Sequence, residues 1–138
     1  MARVVSFPYG NDFLTYTFPA GRFKGELVSR INQHQPGKTR EALVDESLAN
    51  PIGSKRLSEL AAGKKNIVLL ASDHTRPVPS KIIIPGMLAE IRRGSPDADI
   101  TILIATGCHR EMNRKELENK FGPKILHREK IVTHDCDS

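Results

Sequence analysis

The sequence predicts an α/β protein with a parallel β-α-β-α-β (Rossmann-like) core, preceded by a β-hairpin and short helices. Apolar runs at Asn66–Ser72, Ile100–Ala105 and Ile131–Thr133 alternate with segments of helical periodicity. This alternation is typical of parallel sheets with right-handed crossovers. Residues 1–65 instead combine short β-prone runs with short helical patterns, so the regular core is expected to begin at residue 66.

The first strands are predicted at Val4–Tyr9 and Phe13–Phe18. They are separated by Gly10-Asn11-Asp12, whose residue types favour tight turns, so we expect a hairpin. Phe23–Val28 is a candidate for a further strand.

Two short helices are predicted next. Arg40–Leu48 has helical apolar spacing and stops at Asn50-Pro51, because a residue before proline disfavours the helical conformation. Ser54–Ala62 presents leucines on one face and ends at Gly63, a typical helix terminator.

The core begins with Asn66–Ser72, a continuous apolar strand of the kind that is buried on both faces of a parallel sheet. Val78–Arg93 carries apolar residues at helical intervals, and Pro85 is expected to kink or split this helix. A later helix is predicted to start at Asn113, with Glu116 as its capping-box partner.

Composition restricts the class of partner. The 138 residues carry 21 Lys+Arg and 16 Asp+Glu, a modest and scattered excess, and only 5% are aromatic, so nucleic-acid binding is a distant alternative that predicts salt-dependent affinity. The two cysteines lack a paired motif, and no apolar segment follows Met1 or approaches the roughly 20 residues of a membrane span. We therefore expect a cytoplasmic protein with no membrane or nucleic-acid partner.

Three polar clusters follow the three core strands. Because the carboxyl ends of parallel strands share one edge of a sheet, where open α/β proteins bind ligands, the clusters should converge there. They are Ser72-Asp73-His74-Thr75-Arg76-Pro77-Val78-Pro79-Ser80, Ala105-Thr106-Gly107-Cys108-His109-Arg110, and His134-Asp135-Cys136-Asp137-Ser138.

The first cluster predicts an anion site. Its loop is expected to lead directly into a helix with proline at the first position, so that free N–H groups point towards the loop. Thr75 adds a hydroxyl donor, and Arg76 adds a planar fork suited to carboxylate or phosphate. The alternative is that Asp73 and Thr75 cap the helix while Arg76 is solvated.

The second cluster contains the candidate catalytic group. Gly107 permits a close backbone approach, and His109 can act as a general acid or base near neutral pH. A single loop histidine is commonly a surface residue, but its predicted position opposite Arg76 favours function. Cys108 has no second ligand at suitable spacing, which favours a bystander over a metal ligand or nucleophile.

The remaining histidines are less informative. His134 and Asp135 are equally compatible with cofactor binding and with a frayed tail. His127 is expected to be exposed in a basic loop. His34 lies in a polar loop whose residues do not indicate catalysis or ligand binding. The chain has no P-loop, GxGxxG, HExxH or GxSxG motif.

In this order, at the ends of successive strands, the two long motifs resemble those of the nickel-dependent lactate racemase family, which includes related 2-hydroxy-acid racemases and epimerases. The resemblance covers most of the chain, from Tyr9-Gly10 through Phe121-Gly122 to His134-Asp135. It implies a cofactor, the nickel-pincer nucleotide, which is a Ni(II) pyridinium-3,5-bisthiocarboxylate mononucleotide.

The resemblance also implies roles for individual residues. The loop Asp73, His74, Thr75 and Arg76 corresponds to the family's cofactor-binding loop, with Arg76 also orienting the 2-hydroxy-acid substrate. His109 corresponds to one of two histidines that exchange a proton with the substrate hydroxyl while hydride passes to and from the cofactor. The family's second catalytic histidine, its cofactor-linking lysine, its nickel ligand and a further substrate-binding lysine correspond to positions beyond Ser138.

We therefore expect residues 1–138 to be the amino-terminal part of a single α/β domain, divided at residues 65 and 66 and truncated at the carboxyl terminus. The full-length enzyme is expected to be an isomerase, and this fragment alone is expected to be inactive and to contain no metal ligand. The alternative is a non-catalytic α/β module that binds a phosphorylated or carboxylated small molecule.

Overall fold

The computed structural model describes residues 1–136 and confirms the predicted α/β class, with a parallel sheet and a preceding antiparallel hairpin. The described residues separate into two compact units, residues 1–36 and the residues from Gly37 onward. In chain order the elements are β1 (Arg3–Tyr9), β2 (Asp12–Phe18), a 3₁₀ helix (Arg30–Gln33), α1 (Arg40–Ala49), α2 (Leu57–Ala61), β3 (Asn66–Ser72), α3 (Ser80–Gly94), β4 (Asp99–Ala105), α4 (Arg114–Phe121), α5 (Pro123–Arg128) and β5 (Lys130–Thr133).

The first unit contains the predicted hairpin. β1 and β2 pair antiparallel up to Tyr9 and Asp12, and Gly10 has a φ of 59° at the first turn position, where a type II′ turn requires glycine. The prediction of a strand at Phe23–Val28 was wrong. Gly25 adopts a φ of 154°, which interrupts an extended run. The Phe23 ring instead packs against the Phe18 ring, with 5.4 Å between the two ring centroids.

The second unit is organised by a parallel sheet whose strand order, β3-β4-β5, follows the chain. The register pairs Ser72 with Ala105 and Ile104 with Thr133, so that all three strands end at one edge. This common edge is the one that the sequence predicted for the three polar clusters.

The core lies on one face of this sheet. Ile102 and Ile104 of β4 are fully buried and belong to one cluster with Ile91 of α3 and Phe121 of α4. Each such side chain contributes about 1.5–3 kcal/mol when it is removed from water. Both crossovers therefore pack their helices on the same face.

The other face of the sheet is open in the described part of the chain, so the prediction that β3 is buried on both faces was wrong. Val68 is 57% exposed and Leu70 is 75% exposed. The reason is topological: consecutive right-handed crossovers in a sheet of sequential order place every helix on one side.

Two helices begin later than predicted. α3 starts at Ser80, so Pro77 belongs to the preceding loop and Pro79 is the N-cap rather than the first helical residue. Pro85 does not split α3, because a proline at its sixth position removes only one backbone hydrogen bond. α2 spans Leu57–Ala61, shorter than the predicted Ser54–Ala62.

The capping box of α4 is confirmed. The Asn113 side chain accepts from the Glu116 N–H at 3.0 Å, and the Glu116 carboxylate accepts from the Asn113 N–H at 2.9 Å. α5 was not predicted. Gly122, with a φ of 83°, ends α4, and Pro123 then starts α5 at a position that favours proline.

His127 lies in α5 rather than in a loop, and it is exposed as predicted. Within residues 1–136, no helix has the length and apolarity needed to cross a membrane.

Candidate active site

The loops that follow β3 and β4 form the two sides of one cleft at the carboxyl edge of the sheet. Its volume is about 540 Å³, within the usual range for small-molecule sites. Asp73 and Arg76 line it from the first loop, and Thr106 and His109 line it from the second. Because the register pairs Ser72 with Ala105, the first residues of both loops leave the sheet side by side.

Asp73 is the most constrained polar residue of the cleft, with 2% of its surface exposed. Its Oδ1 accepts hydrogen bonds from the Thr75 hydroxyl at 2.6 Å and the Thr75 N–H at 3.1 Å. Its Oδ2 lies 2.6 Å from Nδ1 of His109. Both carboxylate oxygens are thus engaged within the protein.

These contacts stabilise the charged form of Asp73. The Thr75 hydroxyl is the main cause, with further contributions from the His109 imidazole and the Thr75 N–H, and together they outweigh the opposing effect of burial. The pKa of Asp73 falls from 3.8 to about 2. Asp73 is therefore a carboxylate at any pH near neutrality.

The ionised state of Asp73 sets the tautomer of His109. A carboxylate can only accept, so the 2.6 Å contact places a proton on Nδ1 of His109. In the neutral ring, Nε2 is then the nitrogen that can accept a hydrogen bond. The side chain is 46% exposed, which leaves it accessible to a ligand in the cleft.

Arg76 presents a cation to the same cleft. Its guanidinium has no carboxylate within ion-pair distance among residues 1–136, and its side chain is exposed. The backbone is held instead: its N–H donates to the Asp73 carbonyl at 3.4 Å, and its carbonyl accepts from Lys120 Nζ at 2.8 Å. An anion in the cleft would have this planar fork available.

His74 faces the other way. It lies in a depression beside α4, where its Nε2 is 3.6 Å from the Glu116 carboxylate and its buried Nδ1 has no partner in the described structure. Within this loop, His74 therefore lies against α4, while Asp73 and Arg76 line the cleft.

Arg110 and Glu116 form a bidentate ion pair beside this depression, at 2.9 and 2.7 Å. Hydrogen bonds from Arg110, then from the Asn113 N–H, lower the pKa of Glu116 from 4.5 to about 2. Arg110, the last residue of the second motif, is thereby occupied by a partner within the protein, in contrast to Arg76.

The loop after β3 is not a helix cap, because α3 begins only at Ser80. Asp73 and Thr75 bond to each other and to His109 rather than to the start of α3, so both the directly adjoining helix and the capping alternative were wrong. Gly107, with a φ of 59°, makes the turn that brings His109 back towards Asp73.

The third cluster lies beside the cleft. His134, Asp135 and Cys136 line an adjoining depression together with Cys108 and His109. The Thr106 hydroxyl donates to the His134 carbonyl at 2.8 Å, which attaches this segment to the second loop. Asp137 and Ser138 lie outside the described residues.

The cleft suits an anion better than a metal ion. No group of three or more His, Cys, Asp or Glu side chains within residues 1–136 could hold a metal. The unpartnered guanidinium of Arg76, in contrast, matches a phosphate or carboxylate.

Sequence reasoning missed two relationships. The contact between Asp73 and His109 was not anticipated, although both residues follow paired strand ends. The hydrogen bond from Lys120 to the Arg76 carbonyl was also missed. Its signal was a lysine between Leu117 and Phe121 on the apolar face of α4.

Comparison with known proteins identifies the family of the chain. A family described as the lactate racemase N-terminal domain matches residues 9–138. The chain is 45% identical over 131 residues to the lactate racemase of Thermoanaerobacterium thermosaccharolyticum, covering 95% of this chain and 31% of that protein. It is also 45% identical to the lactate racemase of Lactiplantibacillus plantarum, covering 94% of this chain and 31% of that protein.

The fold is shared as well. The solved lactate racemase apoprotein from Thermoanaerobacterium thermosaccharolyticum superimposes with a TM-score of 0.81 at 44% identity, over 96% of this chain and 30% of that one. The chain thus spans slightly less than a third of the length of these relatives. On the match over residues 9–138 and on these identities, the chain belongs to the lactate racemase N-terminal domain family.

Proposed function

We propose that the chain is the amino-terminal part of a lactate racemase-like enzyme, which interconverts the stereoisomers of a 2-hydroxy acid. The observation that carries this proposal is that one cleft contains Arg76, whose guanidinium has no ion-pair partner among the described residues, and His109, whose imidazole is held by a carboxylate. The names of the relatives support lactate or a similar 2-hydroxy acid as the substrate class.

Arg76 is the substrate-orienting residue in this proposal. Its planar fork can form two parallel hydrogen bonds to the carboxylate of a 2-hydroxy acid. Such a contact fixes the orientation of the acid in the cleft, which is the main requirement for placing the reacting carbon.

His109 is the catalytic acid and base. With a proton kept on Nδ1 by Asp73, neutral His109 can accept the proton of the substrate hydroxyl at Nε2 and return it later. Racemisation passes through a planar keto acid. The stereochemistry depends on the face to which hydride returns, while a proton is exchanged at the hydroxyl oxygen. The family resemblance implies a second histidine for this proton exchange beyond residue 138, so we infer that the isolated chain is inactive.

The cofactor proposed for this site is the nickel-pincer nucleotide. The family resemblance assigns its phosphate to the loop Asp73–Arg76, where Arg76 would provide the cation and Asp73 and Thr75 would keep the loop in shape. His74 belongs to the corresponding loop of the family, but it faces α4 instead of the cleft. The family resemblance assigns the nickel ligand to a position beyond residue 138, so the chain would contribute to the nucleotide part of the site. The chemistry that such a bound group supplies is reversible hydride acceptance from the substrate carbon.

The test is a racemisation assay on the full-length enzyme, combined with nickel analysis and a search for an absorbing covalent adduct. We expect L-lactate, or a related 2-hydroxy acid, to be converted to the mixture of stereoisomers by a nickel-containing protein. Absence of turnover, of nickel and of the adduct would overturn the proposal in favour of a non-catalytic anion-binding module.

A further inference from the structure

Lys120 is a buried lysine next to the candidate active site. Only 9% of its surface is exposed, although lysine is among the residues least often buried. It lies on the apolar face of α4 beside the fully packed Phe121. A buried ammonium is costly unless it is hydrogen-bonded, so its partners explain why it is there.

Those partners lie at the start and in the middle of the loop that follows β3. Lys120 Nζ donates to the Ser72 hydroxyl at 3.1 Å and to the Arg76 carbonyl at 2.8 Å. Ser72 is the last residue of β3, and Arg76 lines the cleft. A single side chain thus attaches both ends of the segment Ser72–Arg76 to α4.

Apart from the bonds that hold the neighbouring Thr75 to Asp73, the described part of the loop has few contacts that fix Arg76. The backbone bond from the Arg76 N–H to the Asp73 carbonyl is long, at 3.4 Å, and the Arg76 side chain has no ion-pair partner in the described residues. Hydrogen bonds from a charged donor are stronger than those between neutral groups. The bond from Lys120 is therefore the principal restraint on the Arg76 backbone.

Burial and the neighbouring charge of Asp73 act on the pKa of Lys120 in opposite directions, and burial has the larger effect. Burial lowers this pKa, and the negative charge of Asp73 raises it. Asp73 therefore helps to keep the ammonium protonated, with all of its N–H groups available as donors.

We propose that Lys120 is a positioning residue, which holds the loop Asp73–Arg76 against α4 so that the Arg76 guanidinium stays in the cleft beside His109. The proposal rests on the proposed function only for the identity of the anion that Arg76 binds. The restraint itself depends only on the contacts of Lys120 with Ser72 and Arg76.

Amide exchange with solvent, measured by NMR on the 138-residue chain without ligand, tests the restraint. In Lys120→Met, we expect the Thr75 and Arg76 amides to exchange at least about tenfold faster, while the Ile102 and Ile104 amides of β4 stay within about twofold. Lys120→Arg, which keeps a cationic donor, should restore most of the protection. Lys115→Met, at an exposed position of the same helix, is the matched control and should change neither set.

Unchanged exchange at Thr75 and Arg76 would overturn the proposal, as would an equal rise at Ile102 and Ile104, which would mean that Lys120 serves only global stability. If Lys120→Met does not fold, Lys120→Gln is judged by the same criteria. Because neither ligand nor turnover enters this measurement, loss of the racemase proposal would leave its result standing, and its failure would leave that proposal untouched.

Discussion

The Asp73 carboxylate and the His109 imidazole are joined by a contact of 2.6 Å between Oδ2 and Nδ1, which connects the loop after β3 to the loop after β4. The carboxylate is buried and is held on its other oxygen by Thr75, so it can fix the imidazole in orientation and tautomer. The consequence is that Nε2 of His109 is the atom available for proton exchange in the cleft.

The lowered pKa of Asp73 predicts an acid-sensitive contribution to stability. Since the folded-state pKa is depressed from 3.8 to about 2, this contribution is complete above the unfolded-state value and is lost as the pH falls through about 2. The difference in unfolding free energy between the wild type and Asp73→Asn should therefore shrink between pH 5 and pH 2 in urea titrations. Glu116, whose pKa is also low, titrates in both proteins and cancels in the difference. A difference that is constant with pH would contradict the assignment.

Arg76 should not be replaceable by lysine. Lysine keeps the charge but cannot form two parallel hydrogen bonds, so Arg76→Lys in the full-length enzyme should raise KM for the 2-hydroxy acid by about tenfold or more. Steady-state kinetics check this, with Arg128→Lys at an exposed position of α5 as the control. An unchanged KM in Arg76→Lys would remove Arg76 from the binding site.

Gly94 should be intolerant of any side chain. An added Cβ would lie 1.9 Å from the Ser58 carbonyl oxygen, a backbone atom that cannot move aside, so Gly94→Ala should cost about 1–3 kcal/mol or more of stability by separating α2 from α3. Gly86→Ala is the matched control in the same helix. The three atoms nearest to its Cβ would all be side-chain atoms, of Leu48 at 3.1 Å, Val44 at 3.2 Å and Asp45 at 3.9 Å, and alanine gains helix propensity. Equal losses in urea unfolding would contradict this packing.

The α4 capping box predicts a local loss of stability. Asn113→Ala removes the acceptor for the Glu116 N–H and should cost about 1 kcal/mol, measured by urea unfolding. Asn119→Ala, at an exposed position within α4, should be close to neutral. A cost for Asn119→Ala as large as that for Asn113→Ala would show that the cap does not carry the effect.

Sequence reasoning succeeded where the determinants are local. β3 was predicted at its observed bounds because an uninterrupted apolar run needs no partner to be identified, and α4 because Asn113 and Glu116 satisfy its first turn by themselves. The prediction that both faces of β3 are buried failed, because the strand order decides which face of the sheet the helices cover. Sequence reasoning also failed at the start of α3 because Pro77 and Pro79 are equally compatible with a loop and with a first helical turn.

The candidate site, too, was predictable only in the part that depends on local patterns. Convergence of the two loops was predictable, because parallel strands in register end together. The bond between Asp73 and His109 depends on the turn at Gly107 and on side-chain rotamers, which no local pattern encodes. Lys120 was visible as a cation in an apolar stripe, but its partners follow only from the tertiary packing of α4 against β3.

The central claim is that His109, oriented by Asp73, transfers the proton of the substrate hydroxyl. The most direct measurement is the racemisation rate of the full-length enzyme carrying His109→Ala, compared with His127→Ala at an exposed position of α5. We predict a loss of about 10²–10⁴-fold in kcat for His109→Ala and no loss for His127→Ala, as expected for removal of a general acid and base. Racemisation by His109→Ala at the wild-type rate would contradict the claim.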